Sequence, residues 1–166
     1  DDPGMHSSQN EQDNRHFAPF AKVPMLEPSD SQEAYALMEW AFKISEEYDT
    51  PPLVRSTTRI SHCKTVVELK EPAEVIRKRP RFIRDPHKYV MVPSNARPRH
   101  PLMVERINKL SAYVDMFPLN EMIIADRSLG VISSGAAYQY AREVFPGASF
   151  LKLVTTYPLP EGLIKR

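Results

Sequence analysis

The densest run of side chains able to bind a ligand or move a proton lies at the start of the chain, Asp1-Asp2-Pro3-Gly4-Met5-His6-Ser7-Ser8-Gln9-Asn10-Glu11-Gln12-Asp13. An imidazole, hydroxyls, carboxamides and carboxylates crowd together there, at the point where a loop would leave an upstream strand. In open parallel sheets ligands bind beyond the carboxyl ends of the strands. His6, Ser7, Ser8, Gln9 and Glu11 are therefore the candidate ligand-facing residues; the alternative is a solvated loop. The spacing of His6, Glu11, Asp13 and His16 matches no strong zinc pattern, so no metal is assigned to them. Ser133-Ser134-Gly135 lacks the G-x-S-x-G frame of a nucleophile elbow. It reads instead as a tight strand-to-helix turn, whose free N–H groups could meet an anion or whose glycine serves packing alone. Cys63 follows His62 directly, which is not the spatial arrangement of a thiol and its base. Arg55 and Arg59 follow a strand and could grip a carboxylate or phosphate through paired donors, or form surface ion pairs. Tyr138 and Tyr140 are expected to pack or cap.

These groups need elements to hold them. Residues 1–20 are polar with little period, a long loop with one helical turn around Asn10–His16. Ala21–Leu26 reads as a short strand, with Pro24 favouring an edge or a bulge. Pro28-Ser29-Asp30-Ser31-Gln32-Glu33 is a strong helix start, since Ser29 or Asp30 can accept from the first free N–H groups. Ala34, Leu37, Met38, Ala41, Ile44 and Tyr48 then form one apolar stripe, and Thr50-Pro51-Pro52 blocks the helix near Tyr48. Pro52–Thr58 reads as the next strand, which completes a βαβ unit and implies a parallel sheet. Residues 69–101 hold Pro72, Pro80, Pro86, Pro93, Pro98 and Pro101 among Lys and Arg, an extended linker with a short strand at Tyr89–Val92. A helix is expected from Pro101 to Phe117. The apolar runs Met122–Ala125 and Leu129–Ser134 follow, then a helix opened by Gly135 with Ala136, Ala137, Tyr140 and Val144 on one side. Pro146-Gly147 ends that helix and Ser149–Val154 is the strand of a second βαβ unit.

Bulk properties bound the function classes. With 42% apolar and 26% charged residues, the chain has an ordinary globular composition and is not wholesale disordered. One cysteine cannot form an internal disulfide or a multi-thiolate metal site, which fits a reducing, cytoplasmic compartment. No run of about 18 apolar residues exists, so no membrane span is expected, and no secretory signal is seen. Residues 1–69 carry 6 Lys/Arg and 12 Asp/Glu, a net charge of −6, whereas residues 70–109 carry 11 and 4, a net charge of +7. A basic middle without aromatic interleaving does not look like a base-stacking surface, and a basic linker lying on an acidic neighbour is favoured over nucleic acid. The first residue is not Met, and both ends are expected to continue into a longer protein.

Stretches along the whole chain resemble one family. Asp1–Asp13, PLVRSTTRISHCKTVVEL at 52–69, KYVMVPSNARPRHP at 88–101 and LGVISSGAAYQYAREVFPGASFLKLVTTYPLPEGLI at 129–164 are similar to thiamine-diphosphate-dependent 2-oxoacid:ferredoxin oxidoreductases, in particular to indolepyruvate ferredoxin oxidoreductase α subunits. The resemblance implies an α/β fold: residues 1–69 as the C-terminal part of a pyrimidine-binding parallel-sheet domain, 70–118 as a basic Pro-rich linker plus helix, and 119–166 as the start of a transketolase-C-like domain. It further implies oxidative decarboxylation of aryl 2-oxoacids to acyl-CoA, with thiamine diphosphate, Mg²⁺ and 4Fe-4S clusters in the full-length parent. The implied partners are the β subunit, ferredoxin, coenzyme A and the 2-oxoacid, with no nucleic acid or membrane. The activating glutamate and the diphosphate–metal motif are expected outside this segment, so the piece alone should be inactive. By the same resemblance the loop Met5–Gln12 should face the cofactor cleft. The alternative is a non-catalytic α/β ligand- or partner-binding module on the same scaffold, since a fold alone does not prove chemistry.

Overall fold

The computed structural model describes residues 13–71 and 82–166. A 3₁₀ turn, Asn14–His16, runs into the short helix α1 (Phe17–Ala21), and strand β1 (Met25–Leu26) follows. Helix α2 (Ser31–Tyr48) starts as the sequence requires: the Asp30 carboxylate accepts the Glu33 N–H at 2.8 Å, and Glu33 Oε2 accepts the Ser29 N–H at 2.6 Å. Each acid satisfies an amide that a helix start leaves free. Asp49 ends the helix in the left-handed region at φ 50°. The buried stripe is Glu33, Leu37, Ala41 and Ile44, so the apolar face is turned away from Met38, which is 48% exposed.

Strand β2 (Leu53–Val54) lies parallel to β1, pairing Met25 with Leu53 and Leu26 with Val54. This is the expected βαβ unit, but each strand is cut to two residues. The rest of the expected strand 52–58 is a loop leading to the short helix α3 (Thr58–Ser61). The first sheet has the order β2-β1-β6, where β6 (Thr155–Tyr157) runs antiparallel to β1. The β1 strand is thus central, not an edge, but its pairing with β6 carries a register shift of the bulge type between Met25 and Leu26. Pro24 lies just before it, where its missing donor is not needed by the ladder, and its carbonyl accepts the Leu53 N–H at 2.7 Å.

The segment expected to be extended between 82 and 101 is instead largely helical. Helix α4 (Pro86–Tyr89) replaces the strand expected at Tyr89–Val92, and α5 (Pro93–Val114) starts earlier than Pro101. Pro93 occupies the first turn, where proline is pre-organised, while Pro98 and Pro101 sit inside the helix on its exposed side. Water can there satisfy the Ser94 and Arg97 carbonyls that these prolines leave without an N–H partner. The basic segment lies on an acid of the same chain: the Asp49 carboxylate takes Lys88 Nζ at 2.6 Å, Arg106 at 3.5 Å and Arg99 at 3.7 Å. The Lys88 hydrogen bond, with the two guanidiniums behind it, holds the Asp49 carboxyl below the usual carboxylate range.

The second sheet has the order β3-β5-β4, built from β3 (Glu121–Ile123), β4 (Asp126–Ser134) and β5 (Ala148–Leu153). The β4 and β5 strands are parallel and joined through helix α6 (Gly135–Val144), the second expected βαβ unit, while β3 adds antiparallel to β5. Both sheets are therefore small and mixed. Helix α6 buries Gly135 and Tyr138, with Tyr138 edge-on to Phe150 at 5.8 Å. This inner face differs from the expected one: Tyr140 and Val144 are 52% and 66% exposed.

The main core joins Leu26, Leu37, Ala41, Ile44, Leu110, Phe117 and Val154, drawing on both halves of the chain. Asn120 ties them further. Its Oδ1 accepts the Val154 and Thr155 N–H groups at 2.8 and 3.0 Å, and its Nδ2 donates to the Val114 carbonyl and to Thr155 Oγ1 at 3.0 and 2.7 Å. The closing helix α7 (Glu161–Ile164) is held by Asp115, whose Oδ1 accepts from the Gly162 and Leu163 N–H groups at 2.9 and 3.2 Å. A Cβ on Gly162 would collide with the Asp115 carboxylate. Asp115→Ala removes the acceptor of both amides and is expected to cost about 1–2 kcal/mol in urea unfolding; unchanged stability would mean that Asp115 does not hold α7. Among the described residues no helix is long and apolar enough to cross a membrane.

Candidate functional site

The carboxyl ends of β1, β2 and β4 lead into the starts of α2, α3 and α6, and these three starts surround one cleft of about 570 Å³. This is where the topology of an open α/β sheet places a ligand. Asp30, Arg59, Ile60, His62, Gln139 and Tyr140 give the cleft its chemistry. Asp30 is engaged twice, since Oδ1 caps α2 and Oδ2 accepts Gln139 Nε2 at 3.2 Å. The Arg59 guanidinium lies over the Tyr140 ring, 5.9 Å from its centroid. Ser134 caps α6 with no side-chain bond. Cys63 is exposed and lies with His62 on the cleft wall.

Beside the cleft lies a buried ion pair that sequence reasoning misses. Arg55 Nη1 donates to Glu27 Oε2 at 3.3 Å, with side chains only 9% and 3% exposed, so the expected surface pairing of Arg55 is in fact an interior one. Thr156 donates to Glu27 Oε1 at 3.2 Å, and Arg55 Nε donates to Asn14 Oδ1 at 2.5 Å. Gly135 completes the arrangement: its φ is +56°, and a Cβ there would sit 3.2 Å from Glu27 Oε2. The glycine of the Ser-Ser-Gly turn is thus required by backbone conformation and by the approach of Glu27. A second acid–base contact joins α2 to the other sheet, where Lys152 Nζ meets Glu33 at 3.0 Å and Glu121 at 3.2 Å. Burial opposes the Lys152 charge, but Glu33 and Glu121 outweigh it and hold the ammonium above its ordinary range.

His6, Ser7, Ser8, Gln9 and Glu11 lie outside the described residues. Of the other early candidates, His16 is exposed in the 3₁₀ turn and Asp13 is clasped by its neighbour, with Arg15 Nε at 2.8 Å and Nη2 at 2.7 Å. That clasp holds the Asp13 carboxyl far below the usual carboxylate range. Among the described residues no three His, Cys, Asp or Glu side chains come together as a metal site. Glu27 could have been suspected only as an acid set immediately after a buried strand; Gln139 carries no signal in the sequence, and Tyr140 reads only as a packing residue.

No family model matches the chain, and no solved structure matches it. Curated relatives do. In an alignment of 175 positions that takes in 99% of its length, the chain is 43% identical to indolepyruvate oxidoreductase subunit IorA of Methanothermobacter thermautotrophicus, of which it covers 28%. The subunit of the same name from Methanothermobacter marburgensis is 44% identical over 171 residues, and that from Archaeoglobus fulgidus 39% identical over 169 residues; each match takes in 99% of this chain and 27% of the relative. The chain thus spans little more than a quarter of the length of the relatives it matches.

Proposed function

Since the chain is, along nearly its whole length, a homologue of one segment of the indolepyruvate oxidoreductase IorA subunits, we propose that it forms part of an oxidoreductase that oxidatively decarboxylates aryl 2-oxoacids of the indolepyruvate type to acyl-CoA, with ferredoxin taking the electrons. That similarity is the observation that carries the proposal. The relatives bear the name of a subunit, which supports a second, β-type subunit as partner, and a cytoplasmic location suits such an assembly. Residues 1–69 would close a pyrimidine-binding domain, 70–118 connect it, and 119–166 open a transketolase-C-like domain.

Thiamine diphosphate with Mg²⁺ would supply the ylid for decarboxylation, and 4Fe-4S clusters the electron path. The described residues do not fit the metal–diphosphate end of that cofactor, because no three potential ligands converge among them. Nor does a chain with one cysteine fit a cluster. Those groups belong, in this proposal, to the remainder of the parent, and this segment by itself would be inactive. What the segment contributes is positioning. Asn14, bonded to Arg55 at the carboxyl end of β2, anchors the chain two residues after the segment Met5–Gln12. The loop's polar groups would orient the substrate carboxylate, as fixed donors do in a water-poor site.

His6→Ala and Glu11→Ala, each made in the assembled parent, should each lower kcat by about 10²-fold, the scale of losing one positioned polar group. Steady-state turnover unchanged in both variants would remove the loop from the site.

A further inference from the structure

We infer that residues 63–71 are a strap: a movable wall of the cleft between α2, α3 and α6, clasped on α2 by Gln32, Tyr35 and Glu39 and released as one unit. Nothing in this inference depends on which ligand the cleft receives.

The strap leaves α3 at His62 and belongs to no helix or strand. Among the described residues its only backbone–backbone hydrogen bond is at its root, where the Cys63 N–H donates to the Ile60 carbonyl at 3.3 Å. Beyond that point side chains of α2 hold it. The Gln32 carboxamide pairs with one residue of the strap as a neighbouring strand would, accepting the Glu68 N–H at 2.7 Å and donating to the Glu68 carbonyl at 3.2 Å. The Tyr35 hydroxyl accepts the Lys70 N–H at 3.2 Å, and Lys70 Nζ meets Glu39 at 2.6 Å. Positions 32, 35 and 39 fall on one stripe of the helix, so a single face of α2 grips the strap.

The grip is placed to govern the cleft. Cys63 and Thr65 line the cleft from the strap, and Ser31 lines it from α2. Gln32 follows Ser31 directly, so the clasp closes at the cleft's rim. It is also weak enough to open. Every residue from 63 to 71 except Val67 is exposed, with Val66 at 89% and Leu69 at 77%, so little apolar burial holds the strap down. Hydrogen bonds and ion pairs at exposed positions each favour closure by about tenfold at most. Segments with few buried apolar contacts and solvent-exposed hydrogen bonds are the ones that open locally while the fold stays intact. Leu37, Ala41 and Ile44 pack on the other side of α2 and take no part in the clasp, so the strap can lift without unfolding the helix.

The test is hydrogen–deuterium exchange on the assembled parent, read at the Glu68 and Lys70 amides. Both are expected to exchange about 10- to 10³-fold more slowly than in a free peptide, and faster than the amides of the α2 core. Gln32→Ala should speed exchange about fivefold or more at Lys70 as well as at Glu68, although the Lys70 acceptor is untouched. Tyr35→Phe removes the hydroxyl alone and should speed Glu68 in the same way. Both positions are exposed, so Tm should hold in either variant. Cys63 gives a second readout: in both variants its thiol, located by peptide mass mapping, should react about threefold or more faster with a bulky maleimide, because the rate follows the released fraction. Exchange at the free-peptide rate, a rise confined to the amide whose own acceptor was removed, or strap and α2 amides exchanging at one common rate would each overturn the inference. So would an unchanged maleimide rate in a variant whose strap amides exchange faster, since the cleft wall would then not move with the clasp.

Discussion

Glu27→Ala is expected to lower folding stability by about 3 kcal/mol, because it strips the carboxylate from a guanidinium that is itself buried. The Arg55–Glu27 contact is 3.3 Å long, with both side chains under a tenth exposed. Two long charges held at a protein surface contribute little, since water screens them and their freedom is lost. In the interior the balance changes: the pair as a whole is not strongly stabilising, but removing one member leaves the desolvation cost of the other less compensated. Glu27 also accepts from Thr156 and sits against Gly135, so its loss opens the seam between the two sheets. A chain of this size should lose roughly 10 °C in Tm. A double replacement of Glu27 and Arg55 by leucine should recover most of that loss, which separates burial of charge from loss of packing. A cost below about 1 kcal/mol for Glu27→Ala would show the pair to be solvated.

Phe117→Ala is expected to cost about 3–5 kcal/mol, the range for deleting a buried aromatic ring. Phe117 is 2% exposed and lies edge-on to Trp40 at 5.4 Å and to Tyr113 at 6.0 Å. Trp40 belongs to α2 and Tyr113 to α5, so the ring is the wedge that joins the N-terminal βαβ unit to the long helix. Partial collapse is limited, since the neighbouring helices are held by the Asp30 cap at the start of α2 and by Asn120 at the end of α5. Trp40 is the one tryptophan of the chain, so its emission reports the surroundings of this ring, Phe117 on one side and Lys43 Nζ 4.6 Å from its centroid. The urea midpoint should fall with an unchanged slope, and the native emission should shift to the red as water reaches the indole. A midpoint shift worth less than about 1 kcal/mol would mean that α5 does not pack on α2 as described.

What could be read from the sequence follows the range of the interactions. The start of α2 was legible because Asp30 and Glu33 act on amides three and four residues away, and its end because Thr50-Pro51-Pro52 cannot continue a helix. Both βαβ units followed from the same local signals. The start of α5 was not legible, because the cost of Pro98 and Pro101 depends on whether water can reach the carbonyls they orphan, and that is a property of the packed structure. The inner face of α6 was hidden for a related reason. Ala136, Ala137, Tyr140 and Val144 are apolar, yet the sheet takes Gly135 and Tyr138 and leaves Tyr140 to the cleft. Three-residue β6 carried no periodic signal, so the pairing of the chain's last strand with β1 could not be foreseen. Of the site, Arg55 and Arg59 were visible as basic residues after a strand, but their different fates were not. Arg55 meets an acid 28 positions away in the interior, whereas the Arg59 guanidinium lies over a tyrosine ring of the other unit.

The most direct measurement is ferredoxin reduction by the purified assembly of the parent subunit carrying this chain with its partner subunit, following CO₂ release from indolepyruvate in the presence and absence of coenzyme A. Reduction that requires both indolepyruvate and coenzyme A, and that is slower with pyruvate, is the expected result. An intact assembly, loaded with thiamine diphosphate and iron–sulfur clusters, that reduces ferredoxin with no aryl 2-oxoacid would contradict the assignment and leave the chain as a binding module on the same scaffold.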